Sequence, residues 1–405
     1  IGSININATG NVDITDWSNT NLVQGTTQHI GGGVGNMKVI TTQNISISNI
    51  VQGGNVRGVG AYIGGVFGVM NISAMHTSIN ALSFSATAEG EATSQFVGGV
   101  FGKLVVNSTN TVGVSNLYNN NSTASIKGGS MYIGGIAGSV EIYASEVQLE
   151  TIENNKPIES LHATPENVGG IFGRIVIEAG LKAVMDNFYN NGEVEGYYLS
   201  GGIAGSANIH VDYSMENMLE LKYLSNTANI TGSNNYIGGV FGMLTTKYEG
   251  TPTTKLTHLS DTYIRLYNNT NEGEVVGASF VGGLIGYAAN VSISVLDDDN
   301  VERVLNAGKI TGISYVGGFV GAGNKINILG SNNIILKNAG SVLASNNYAG
   351  GIIGELNYFS TFGPEEAQQV LMVTSIYYFG SSSVRFAENT GKIQGVNYIG
   401  GITGN

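Results

Sequence analysis

The chain has 405 residues, of which 42% are hydrophobic and 11% charged, with a formal net charge of −12, 61 glycines, 4 prolines and no cysteine. The missing thiols exclude disulfides, thiolate catalysis and cysteine-bound zinc, and 17 scattered Lys and Arg leave no basic stripe to neutralise phosphates, which argues against nucleic acid and acidic lipid headgroups as partners. No apolar run approaches the roughly 18 residues that a membrane span takes, and a chain that opens on Ile1 without a leader pattern is expected to have lost one.

One string recurs along the chain: an aromatic residue, a branched aliphatic, two glycines, two apolar or small residues and a third glycine. A weak first copy runs from His29 to Gly35. The string then returns with its glycine pair at Gly64 and Gly65, Gly98 and Gly99, Gly134 and Gly135, Gly169 and Gly170, and Gly201 and Gly202. It continues at Gly238 and Gly239, Gly282 and Gly283, Gly317 and Gly318, Gly350 and Gly351, and Gly400 and Gly401. The lead position holds Tyr62, Phe96, Tyr132, Asn167, Leu199, Tyr236, Phe280, Tyr315, Tyr348 and Tyr398 in turn. A second landmark precedes it in several copies, as in Asn190-Asn191-Gly192-Glu193-Val194-Glu195-Gly196 and Asn306-Ala307-Gly308-Lys309-Ile310-Thr311-Gly312.

Between the landmarks, segments such as Val105 to Val112 and Val291 to Val295 alternate apolar and polar residues with period two, and helical periodicity is almost absent. Three short strands per repeat, each repeat about 35 residues long, point to an all-β fold: a parallel β-helix of about eleven coils, right-handed by the rule for parallel crossovers. The whole chain, 1–405, reads as one solenoid domain. With coils about 4.8 Å apart, like residues should form columns: glycines for corners with φ above zero and for close backbone approach, asparagines as amide ladders, aromatic rings in stacks.

Two copies are longer than the rest, Gly242 to Gly286 and Gly354 to Gly404. The extra residues are expected as loops near 247–262 and 356–378. Within the second, Gly363-Pro364-Glu365-Glu366 followed by good helix formers predicts one short helix. Gly2 and Gly404 share a phase of the repeat with no polar capping coil, so the ends are expected either to dock head to tail on other copies or to continue into a longer array.

No catalytic constellation is visible. Asp297-Asp298-Asp299 reads as a solvated turn, and Asp13 and Asp16 beside Trp17 are isolated. His29, His76, His162, His210 and His258 fall at different phases without a ligand partner, so neither metal nor cofactor is expected. Lys103, Arg174 and Lys247 read as single surface charges. Nine Asn-x-Ser/Thr sequons begin at Asn7, Asn44, Asn71, Asn107, Asn120, Asn121, Asn229, Asn268 and Asn290, a number close to chance in so Asn-rich a chain.

The Gly-Gly-apolar-apolar-Gly string, closest in Gly282-Gly283-Leu284-Ile285-Gly286, together with the apolar-Tyr-Asn-x-Gly-x-Val-x-Gly landmark, resembles the GLUG-motif repeats of bacterial and protist surface proteins. Most copies here carry Val or Ile where that family favours Leu, and the spacing is longer. The resemblance implies an extracellular or cell-surface solenoid with an architectural or adhesive role, partnered with further copies of itself or with surface glycans, and it supplies no catalytic residues. A fibre or stalk scaffold is the leading expectation, a glycan- or protein-binding adhesin the alternative, and a carbohydrate-active enzyme a distant third.

Overall fold

The computed structural model describes all residues except 27, 92, 121–123, 213–217, 247–262, 296–302, 331–334, 356–374, 379–386 and 405. The described residues form an all-β solenoid in which every strand pairing is parallel and joins residues one repeat apart. Two sheets each contain 11 short strands, and a third, much larger one has 20. One short-strand sheet carries the lead residue and first glycine, as in Tyr62–Gly64, Phe96–Gly98 and Tyr132–Gly134. The other follows the Asn turn, as in Val56–Gly58, Ala88–Gly90 and Ile126–Gly128.

The strands of the large sheet are longer than the five to seven residues that the period-two segments suggest. In the central coils they run unbroken over Phe67–Phe84, Phe101–Asn119, Ala137–Asn154 and Phe172–Asn190. A residue in the left-handed region lets each of these strands bend without ending. Asp16, Asn49, Ala81, Asn116, Thr151, Asn187, Tyr223 and Asn268 have φ between 47° and 59° and lie one above another. The pairing register skips each of them: Ser48 pairs with Asn80 and Ile50 with Leu82. The extra residue works as a bulge, restarting the inward alternation, so that Ile79, Leu82 and Phe84 all face the core. Asn and Asp supply five of these eight positions because their short polar side chains tolerate that conformation best.

Aliphatic columns fill the interior. One runs Ile47, Ile79, Val114, Leu149, Met185, Leu221 and Leu266, each paired in register with the next. Five of the seven are exposed by 1% or less and the other two, Val114 and Leu266, by 3%, within a single continuous core cluster. Because adjacent coils present the same shape at the same place, β-branched and Leu side chains nest along the axis, and each buried one contributes about 1.5–3 kcal/mol.

The glycines act differently from the expectation of positive-φ corners. No described glycine has positive φ; close approach demands them instead. A Cβ on Gly239 would lie 2.1 Å from the Gly283 carbonyl oxygen and 2.3 Å from Cγ of Asn271. The same conflict recurs at Gly135, Gly170, Gly202, Gly283, Gly318 and Gly351, each against an Asn side chain and the backbone of the next coil.

The short helix expected after Gly363 and the loop near 247–262 lie outside the described residues; no helix occurs among the described ones. At the far end of the second insertion, Ser375–Tyr378 is strand rather than loop and pairs in parallel with residues 327–330.

Gly239→Ala and Gly113→Ala separate close approach from mere repetition. A Cβ at Gly113 meets nothing within 4 Å. Gly239→Ala should lower the urea midpoint sharply, by the equivalent of about 3 kcal/mol or more, whereas Gly113→Ala should leave it unchanged or slightly raised.

Candidate functional site

The Asn that opens each turn landmark points into the solenoid. Asn119, Asn154, Asn190, Asn226, Asn271, Asn306 and Asn338 are fully buried or nearly so. Each donates from Nδ2 to Oδ1 of the Asn one coil on: Asn119 to Asn154 at 2.9 Å, Asn190 to Asn226 at 2.8 Å, Asn226 to Asn271 at 2.8 Å, Asn306 to Asn338 at 2.7 Å and Asn338 to Asn389 at 2.6 Å. From Asn154 onward the second Nδ2 hydrogen goes to a carbonyl two residues ahead, such as Gly192 for Asn190 and Ala228 for Asn226. Both donors and the acceptor are thereby used inside the protein, which removes the penalty of burying an amide.

The ladder is broken before Asn119. Phe84 occupies its position between Gln52 and Asn119, and both Gln52 Oε1 and Asn119 Oδ1 are left buried without a partner. Beside the interruption lies Lys156, fully buried at the place where later coils have Gly192, Ala228 or Gly273. Its Nζ donates back across an intervening coil to the carbonyls of Ala86 at 2.6 Å and Phe84 at 3.2 Å, and sits 4.0 Å from the centre of the Phe84 ring. Burial lowers its pKa from 10.5 to about 7. Nothing in the sequence marks this residue beyond a Lys standing where a small residue usually stands.

The lead residues of the glycine string form the expected ring stacks. His29, Tyr62, Phe96 and Tyr132 stack with centroids 4.7–5.1 Å apart. Asn167 and Leu199 interrupt the column, which resumes through Tyr236, Phe280, Tyr315, Tyr348 and Tyr398 at 4.8–4.9 Å. Lys103 and Arg174 are not single charges: both approach Glu141 Oε1, at 2.9 and 3.4 Å, while lying over the rings of Phe96 and Tyr132. Lys247 lies outside the described residues.

A polar groove crosses the large sheet near the middle of its long strands, with a volume of about 570 Å³. Its wall is a column, Ser73, Asn107, Tyr143, Glu178 and His210, in which each residue pairs with the next across adjacent coils. Small buried residues, Ala74, Ser108 and Ala179, form its base, and Thr109, Ser145, Gly180 and Asp212 its other side. His210 Nε2 lies 3.2 Å from Asp212 Oδ1, and its Nδ1 is buried without a hydrogen-bond partner.

The other histidines are dispersed. His76 bonds Thr111 and Asn110, His162 Nδ1 accepts from the Thr164 amide, and His258 lies outside the described residues. Among the described residues no group of three His, Asp or Glu converges on a common point. Asp16 accepts from Asn49 Nδ2, and Asp297, Asp298, Asp299, Glu365 and Glu366 are not described. Of the sequon asparagines, Asn7, Asn44, Asn107, Asn120 and Asn229 are exposed and Asn71 and Asn268 half-buried. Asn290 lies on the strand Ile285–Val295 and Asn121 is not described. Comparison with protein-family models, with curated proteins and with solved structures gave no match to this chain.

Asn226→Ala should orphan the Asn271 side-chain Oδ1, break a bond from Asn190 and open a small void, costing about 2–4 kcal/mol in denaturant unfolding. Asn191→Ala, which removes an exposed amide bonded to Asn155, should cost less than about 0.5 kcal/mol in the same assay.

Lys156 sets a pH dependence. Its folded pKa lies below the unfolded one, so between about pH 7 and 10.5 the unfolded chain binds a proton that the folded chain does not. Stability relative to Lys156→Met should therefore rise by a few kcal/mol across that window and stay level below pH 7; a flat difference throughout would contradict a desolvated amine.

Proposed function

We propose that this chain is a structural element of an extracellular or cell-surface fibre or stalk, a scaffold rather than a catalyst. The observation that carries the reading is the continuity of its columns. Backbone pairing, aliphatic core and amide ladder repeat from coil to coil, so a pull along the axis is shared by every strand at each level. The partial likeness of its glycine strings to surface-protein repeats agrees with this placement.

Further coils, whether of the same chain or of a second copy, would add through the same contacts. The outermost coils display residues of the core and ring columns: Tyr398 is 58% exposed and Ile399 49%, and at the other end Ile4, Ile6, Ile14 and Trp17 are only partly covered. A coil seated on either face would bury these residues and complete the strand edges, which otherwise invite pairing.

Electron microscopy of the native material tests the proposal. Thin particles are expected, with each chain adding a segment about 50 Å long, the length of eleven strand spacings. Compact, monodisperse monomers of the full-length product would contradict a fibre.

A further inference from the structure

We propose that the groove walled by Asn107, Tyr143, Glu178 and His210 binds an extended neutral polysaccharide lying along the solenoid axis. Its direction is the first argument. The groove runs across the strands, so a ligand in it meets an equivalent side chain once per coil, about every 4.8 Å. That interval matches the advance per sugar of an extended pyranose chain. An extended peptide, advancing about 3.3 Å per residue, falls out of step within two coils. It also finds no free edge there, because the strands beneath are already paired on both sides.

The chemistry agrees. An amide, a carboxylate, an imidazole and several hydroxyls converge on one open channel, and these groups bond sugar hydroxyls as both donors and acceptors. The Tyr143 side chain offers an apolar face for ring C–H groups, and the small residues at the base let a flat ring sit deep. Among the described residues no Lys or Arg lines the channel, while Glu178 and Asp212 do, which disfavours polyanionic glycans and nucleic acids. This binding role does not depend on the fibre proposal: a lone rod would bind through the same groove.

The test uses the full chain produced without N-glycosylation, because a glycan on Asn107 would occupy the channel. Calorimetry or NMR titration against the extended cello-, xylo- and manno-oligosaccharides of increasing length is expected to show binding by at least one series, and tighter binding than by malto-oligosaccharides, which coil. Affinity should strengthen up to about five units, the number of coils that the groove crosses, and the His210 ring signals should move. Tyr143→Ala and Glu178→Gln should each weaken binding about tenfold or more with circular dichroism and melting unchanged, while Asn191→Ala on another face should have no effect. The proposal is overturned if no neutral series binds, if heparin or an extended peptide binds in preference, or if the groove variants leave affinity unchanged.

Discussion

The structure depends on a pairing of two residue types that lie far apart within each repeat. A buried Asn amide from the turn landmark packs directly on the second glycine of the Gly-Gly string, with no room for a methyl group between them. The Asn needs that closeness to bond its neighbours along the axis, and the glycine is needed because the Asn is there. Either residue alone would be a liability, one as a buried polar group and the other as a flexible, side-chain-free position. Together they close each coil at a fixed perimeter and hold adjacent coils in one register. The aliphatic columns supply the larger share of stability and tolerate exchange among Ile, Val, Leu and Met, whereas the glycine of this contact is kept even where Gln52 or Phe84 stands in for the Asn.

Much of that was visible in the residues themselves. The glycine strings fixed the period, the alternating segments the strand type, and the Asn and ring columns followed from stacking. What escaped has physical reasons. The left-handed bends at Asn49, Asn116, Asn187 and Asn268 were hidden because Ala81, Thr151 and Tyr223 take the same conformation in other coils, held there by neighbours rather than by local preference. Of the two uses expected of glycine, close backbone approach is the one found and positive φ is not, a distinction that needs the neighbouring coil. The groove is assembled from unlike residues, Ser73, Asn107, Tyr143, Glu178 and His210, which share a column but no pattern. Lys156 is legible only once Phe84, two coils away, is known to break the ladder.

The columns also differ in what they allow to vary. On one short-strand sheet charges alternate between coils, with Arg57 2.9 Å from Glu89 and Lys127 2.8 Å from Glu159. These exposed pairs add little stability, and a slip of one coil against the next would separate them; Glu195, which follows Glu159, ends the alternation. Interior columns thus set the register, exposed charges reinforce it, and the groove wall is left free to carry different side chains at successive levels.

The central claim is that residues one repeat apart lie directly over one another, and spin-label distances test it most directly because the chain has no cysteine to compete with introduced thiols. Arg57, Glu195 and Gln394 belong to one exposed column, four pairings separating the first two and five the last two. Pairwise Cys substitution and pulsed electron resonance should give separations of about 19 Å for 57 to 195, about 24 Å for 195 to 394 and their sum for 57 to 394, within the reach of the label linkers. Distances that do not grow with the number of intervening repeats, or that fail to add, would contradict the stacked coil.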